Sequence, residues 1–308
     1  MTHSPLVIWR LTDGKPGHMQ QTLGLVQALS ALVPCRVIDI DLAARPVGLR
    51  DFLLGRFVPG AGKEAPQLIL GAGHATHWGI LAARRAAGGG LTTVLMKPSL
   101  PAFLFDLVIA PAHDGLAEGP RVITTRGVLN PMRPGEKKRN SLLFLVGGPS
   151  RHAAWDDAAV LQQIDAIVAA LAPGSAWRLS DSRRTPASLR AALQQRYGER
   201  FQPFAQCPPG WLAAQLAEVE SVWVSEDSVS MVYEALTAAC RVGLLRLPGV
   251  NRSSRVALGV ERLIADDRVT AFTDWSAGRP LRAAGAFNEA DRVAKEILKK
   301  MLAAAVAG

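Results

Sequence analysis

Cysteine is nearly absent: Cys35, Cys207 and Cys240 are the only three in 308 residues. Few, odd in number and widely spaced, they build no disulfide framework and suit a reducing cytosol. No run of about 18 uncharged apolar residues occurs, so no membrane-spanning helix is expected. The opening MTHSPLVIWRLTDGK lacks a charged segment followed by a long apolar one, so no secretory signal is read and a cytoplasmic location is expected. Acidic residues are the minority, 26 against 35 Lys and Arg, for a net charge of +9. That excess favours an anionic partner, whether nucleotide, phospholipid surface or nucleic acid. Aromatics are sparse at 6% and no nucleic-acid module signature is present, which argues against the last. What is plentiful is apolar residue, 49% of the chain. The length predicts two domains, and alanine- and valine-rich strand–helix alternation predicts the α/β class.

Residues 222–247, VWVSEDSVSMVYEALTAACRVGLLRL, organise the rest. Val222–Val224 is a β-branched and aromatic run stopped by Ser225, Glu226, Asp227 and Ser228. A helical pattern follows, and then a second apolar run, Val242–Leu245. Met231, Val232, Ala235, Leu236 and Ala239 share one helical face, while Ser230, Glu234 and Thr237 share the other. Asp227 or Ser228 can cap that helix. Strand, turn, helix, strand is the unit of parallel sheets. The free amides of such a helix start form an anion site at the carboxyl edge of the sheet. Glu234 then either reaches a sugar hydroxyl beside that anion or is a solvated glutamate on a surface helix. The pattern leaves both open.

Earlier in the chain, strand Leu6–Leu11 runs into Thr12-Asp13-Gly14-Lys15-Pro16-Gly17-His18, and a helix begins around Met19. This is neither a Walker loop nor a dinucleotide fingerprint. At the helix start, the positive helix end disfavours a His18 imidazolium and keeps a neutral base available. The other reading is a loop histidine bonded to backbone. Arg36–Leu42 is the second strand, and its Asp39-x-Asp41 reads as a strand end rather than a metal site. Arg45 to Lys63 interleaves Leu49, Phe52, Leu53, Leu54 and Phe57 with arginines. It reads as a core-facing helix with charged flanks in preference to a segment lying on an anionic membrane. Strands Gln67–Leu70, Thr92–Met96 and Asp106–Ala110 and helix Trp78–Ala87 complete the first half. His74, His77 and His113 match no zinc spacing, so no metal is expected.

Asn130–Asn140, rich in proline and charge, is linker chemistry. Strand Ser141–Val146 then enters Gly147-Gly148-Pro149-Ser150-Arg151, ahead of a helix at Asp157–Leu171. Two glycines there suit a backbone pressed against a diphosphate, with Arg151 as a charge-matched neighbour. Strand Trp177–Leu179 ends in a loop carrying Arg183 and Arg184. Helices are expected at Ala187–Tyr197, Trp211–Glu218, near Arg255–Ala265 and at Ala286–Ala305. The domains are therefore drawn at 1–130, linker 131–139, 140–285, and a final helix 286–308 crossing back to the first domain.

LTDGKPGHMQQ and VSEDSVSMVYEAL resemble the two signature stretches of the mitochondrial-fission (elongated-mitochondria) family. The order of the first loop, the Asn-Pro-x-Arg linker, the Gly-Gly loop and the 222–247 stretch is also similar to the GT-B glycosyltransferases, notably the peptidoglycan N-acetylglucosaminyltransferase. The resemblance implies two Rossmann-like domains facing across a cleft. It implies that Glu234 holds nucleotide ribose hydroxyls and that Ser228, Val229 and Ser230 offer amides to a diphosphate. It further implies that Gly147 and Gly148 line the phosphates and that His18 takes the proton of an acceptor hydroxyl. Glu226 and Asp227 fall in the same site. Asp13 and Lys15 are departures from the transferase's loop and join His18 as catalytic candidates. Arg151, Arg183 and Arg184, without counterparts, lie on loops facing the same cleft.

The activity so implied is inverting, metal-independent sugar transfer, with no cofactor, from a nucleoside-diphosphate sugar to a hydroxyl acceptor, lipid-linked or a cell-envelope glycan. The protein would work in the cytoplasm, peripherally on the inner face of the membrane. A nucleotide-sugar epimerase and a non-catalytic scaffold binding a membrane-associated protein are the alternatives.

Overall fold

The computed structural model describes residues 4–150, 154–248, 255–283 and 285–307. The chain divides into two compact units, 1–131 with 288–308, and 132–287.

The first unit is a six-stranded parallel sheet of order β2-β1-β3-β4-β5-β6. Its strands are β1 (Leu6–Thr12), β2 (Cys35–Asp41), β3 (Leu68–Ala72), β4 (Leu91–Leu95), β5 (Leu107–Pro111) and β6 (Val122–Thr125). Between them lie α1 (Pro16–Ser30), α2 (Leu49–Leu53) and α3 (His77–Ala87). Alternation along β1 serves both faces. Leu6 and Ile8 join Leu25 and Leu29 of α1, whereas Val7, Trp9 and Leu11 join Ile80 and Phe105. The apolar 45–63 segment departs from expectation. Only five residues form an α-helix, none of them buried, and Leu53 is 60% exposed, although Val47 and Phe57 of the segment join the core.

The second unit repeats the theme with order β12-β11-β10-β7-β8-β9. In chain order it runs β7 (Lys138–Leu145), α4 (Asp157–Ala169), β8 (Ala176–Ser180), α5 (Ala187–Tyr197), β9 (Phe201–Gln202), α6 (Trp211–Glu218), β10 (Val219–Ser225), α7 (Val229–Thr237) and β11 (Arg241–Leu245). It closes with α8 (Arg255–Ala265), β12 (Thr270–Ala271) and α9 (Phe272–Ser276). The stretch read as a linker is folded onto this unit. Gly135 N donates to Ala217 O at 3.1 Å, Lys137 Nζ donates to Leu216 O at 2.6 Å, and β7 starts at Lys138. The final helix, α10 (Glu289–Ala307), packs on α1 of the first unit and buries Val293, Ala294 and Ile297.

Candidate active site

In an open parallel sheet, ligands bind outside the carboxyl ends of the strands where the strand order reverses. In the first unit β1 is followed by β2 on one side and β3 on the other, so that point lies between β1 and β3. The two loops leaving it are in contact. Helix α1 starts at Pro16, earlier than Met19, because proline's fixed φ suits the first turn and its missing N–H costs nothing there. His18 is thereby the third residue of the helix. Its Nδ1 lies 2.8 Å from Asp13 Oδ2, whose side chain is almost wholly buried. Asp13 Oδ1 accepts from the Lys15 amide at 3.2 Å, which holds the carboxylate still. With Nδ1–H donating to Asp13, the Nε2 lone pair is left to accept a proton. The helix end is not the nearest charge to this ring, as the sequence suggested; Asp13 is. The exposed Lys15 ammonium stands 3.9 Å from Asp13. Opposite the ring is Gly73, at φ +82, where a Cβ would come within 2.3 Å of His18 Cε1. Glycine is required there twice, for the left-handed backbone and for the closeness of the imidazole.

In the second unit the reversal lies between β7 and β10. Gly147 N donates to Ser225 Oγ at 2.7 Å and Gly148 N to Asp227 Oδ2 at 3.1 Å. Arg184 reaches in from the β8 loop, donating to the same Asp227 Oδ2 at 2.7 Å and to Gly148 O at 3.0 Å. A Cβ at Gly147 would meet Asp227 Oδ2 at 2.2 Å, and one at Gly148 would meet Arg184 O at 2.1 Å. The diphosphate reading of these two glycines is corrected accordingly: they make room for protein, and their amides are already taken. Burial pushes the Asp227 carboxyl above the usual carboxylate range, while Ser225, Gly148 and Arg184 pull it the other way. Its Oδ1 is buried without a hydrogen bond among the described residues.

Glu226 is also not presented to a ligand. Oε1 accepts from Leu247 N at 2.5 Å and Oε2 lies 3.0 Å from Arg246, itself paired with Glu261. Neither Asp227 nor Ser228 caps α7 through its side chain; Ser228 is a buried N-cap residue, and the reading of its amide as a diphosphate donor is corrected, since that amide donates to Ser225 O at 3.0 Å. The face read as polar is partly inward, since Thr237 is buried and its hydroxyl donates to Tyr233 O at 2.7 Å. What stays available is the first turn of α7, where the amides of Val229 and Ser230 have no helical acceptor. Glu234 lies one turn further on, part-buried, with no donor among the described residues. Burial raises its carboxyl from 4.5 to about 7. Arg183 is exposed on the β8 loop with no partner among the described residues. Arg151 lies outside the described residues.

Asp39 of the Asp-x-Asp pair is held by Arg10 through bonds of 2.8 and 2.6 Å. His74 is exposed, whereas His77 is buried 3.2 Å from Ser99 Oγ and pulled down to about 4, chiefly by burial. No group of three His, Cys, Asp or Glu gathers as metal ligands would among the described residues.

Residues 16–301 match the family model described as Mitochondrial fission ELM1. The chain belongs to that family. No curated protein matches it. Among solved structures, this ELM1-family chain is similar to a UDP-N-acetylglucosamine 2-epimerase at TM-score 0.53 and 14% identity, covering 96% of each chain. It is similar also to the UDP-GlcNAc 2-epimerase of Methanocaldococcus jannaschii at TM-score 0.51 and 11% identity, over 96% of this chain and 100% of that one. MurG of Acinetobacter baumannii aligns at TM-score 0.46 and 13% identity, over 96% and 90%. At such identities the likeness shows the fold alone: the ELM1-family chain is α/β, with the two Rossmann-like units of the GT-B class.

Proposed function

We propose that this protein transfers a sugar from a nucleoside diphosphate to an acceptor hydroxyl, with inversion at the anomeric carbon. The carrying observation is the Asp13–His18 dyad at the β1–β3 reversal point, with Nδ1 engaged at 2.8 Å and Nε2 left as the base. A hydroxyl attacking the anomeric carbon loses its proton to Nε2, and Asp13 stabilises the imidazolium that forms. Such general base catalysis contributes about a hundredfold or more. The departing diphosphate gains negative charge, which would be taken up by the α7 amides of Val229 and Ser230 with Arg183, groups that have no partner among the described residues. Glu234, deprotonated on binding, would accept from ribose hydroxyls. Lys15 would meet an anionic acceptor.

The test is direct. A panel of nucleoside-diphosphate sugars is screened by calorimetry, and transfer is followed by nucleoside diphosphate release with and without hydroxyl acceptors. His18→Ala and Asp13→Asn are expected to lose at least a hundredfold in rate while binding the donor as wild type does. A wild-type rate in His18→Ala removes the dyad from the chemistry. Sugar epimerised without any acceptor replaces transfer by epimerisation, and no donor binding at all leaves the scaffold reading.

A further inference from the structure

Segment 45–63 contains four basic residues, Arg45, Arg50, Arg56 and Lys63, against one acid, Asp51. The acid is occupied, its Oδ2 accepting from the Gly48 amide at 3.0 Å. Among the described residues none of the four cations has a carboxylate partner. Between them Leu49, Leu53, Leu54 and Val58 are all exposed and no residue of α2 is buried, while Val47 and Phe57 of the same segment join the core. Nothing in the helical pattern requires this, since the same leucines would serve a core. Phe52, which lies between them in the chain, lines an open cavity of about 620 Å³ together with Trp78, Leu81, Leu104, Arg84 and Arg85. The Arg85 guanidinium lies 5.6 Å over the Phe52 ring. Phe103, next in the chain to the cavity residue Leu104, is 70% exposed.

We infer that this face of the first unit docks on an anionic phospholipid bilayer. Protruding leucines and a phenylalanine, each separately wetted, lose that exposure together by entering the boundary between headgroups and acyl chains. Arginines among them keep their heads at the phosphates while their stems follow the apolar side chains inward. Unpaired cations on a chain of net charge +9 add attraction to an anionic leaflet, each worth about 1 kcal/mol, or about fivefold in partitioning. Charge and apolar exposure coincide in one segment, and a surface that is anionic outside and apolar just beneath satisfies both. The inference stands apart from the proposed chemistry, because none of its residues belongs to the Asp13–His18 dyad or to the α7 site.

The full chain is mixed with vesicles of phosphatidylcholine alone or of phosphatidylcholine with phosphatidylglycerol, and bound protein is measured by co-sedimentation at low and high salt. Wild type should bind the anionic vesicles, lose binding with salt, and ignore the neutral ones. Leu53→Glu with Leu54→Glu should lower partitioning by about tenfold or more, and Arg50→Gln or Arg56→Gln by about fivefold each. All four positions are exposed or part-buried, and unchanged thermal midpoints and donor affinity show that the variants are folded. Absence of wild-type binding to anionic vesicles overturns the inference, as does a double glutamate variant that binds like wild type. Concentration-dependent self-association by sedimentation velocity, abolished by the same glutamates in the absence of vesicle binding, makes the face a contact between copies and equally overturns it.

Discussion

Glu234→Gln should make the protein more stable at neutral and alkaline pH. The wild-type carboxyl is raised from 4.5 to about 7 by burial alone, with no donor among the described residues to repay the loss of water. A difference of that size between the folded and unfolded chain corresponds to about 3 kcal/mol. The sign follows from proton uptake. The folded state holds the proton more tightly, so the contribution is complete below 4.5 and is lost as pH rises through about 7. Glutamine has no charge to desolvate and should show no such loss. Urea unfolding of both proteins at a series of pH values from 4 to 8 reads the difference directly; the two should agree at the acid end and diverge by up to about 3 kcal/mol at the other. Parallel stability curves across that range would refute the assignment of Glu234 as an unrepaid buried acid. The same cost bears on function. A ribose presenting two hydroxyl donors would repay the ionised carboxylate, so donor binding at pH 6 should release a proton in wild type and none in the variant.

Two further outcomes are expected. Gly73→Ala places a Cβ on a backbone at φ +82 and within 2.3 Å of the His18 ring, so it should cost about 1–3 kcal/mol in urea unfolding and reduce turnover by displacing the imidazole; unchanged stability and rate would show that ring and loop do not meet in solution. Asp227→Asn removes the carboxylate charge that holds Arg184, and it should tighten nucleoside diphosphate binding by roughly three- to tenfold in calorimetry; weaker binding would make Asp227 a support of the site instead.

Legibility in the sequence was uneven for physical reasons. Helices α5 and α6 stand where the pattern places them, because Pro186 and Gly198 bracket one and Gly210 precedes the other. The two sheets could be anticipated from strand–helix alternation, since buried parallel strands read as apolar runs. Strands β9 and β12, of two residues each, are too short to carry a period. The 45–63 segment misled because an amphipathic pattern states that one face is apolar, not what covers it. At the site, Asp13 and His18, five residues apart, were each singled out in the sequence, but their pairing was not read from it. Gly148, Arg184 and Asp227 come from three loops separated by dozens of residues. A glycine pair in a sequence announces a close approach without naming what approaches.

What approaches here is a carboxylate, and that reorders the second site. A backbone amide at Gly148 and a guanidinium at Arg184 converge on Asp227 Oδ2 at 3.1 and 2.7 Å, an arrangement that suits one oxygen of a phosphate equally well. The chain supplies its own anion to that cradle, from the loop that also starts α7. On the proposed reading, a diphosphate arriving at the α7 amides of Val229 and Ser230 would meet Arg183, which has no partner among the described residues, and Arg184 already engaged. Capturing the second arginine would require breaking its pair with Asp227, which leaves a buried carboxylate whose other oxygen has no hydrogen bond among the described residues. Protonation of Asp227 lowers that cost, and burial already pushes its carboxyl toward the protonated form. On the proposed reading Arg184 is held ready at the edge of the site, and the grip on a donor's phosphates would be set by how readily Asp227 gives it up.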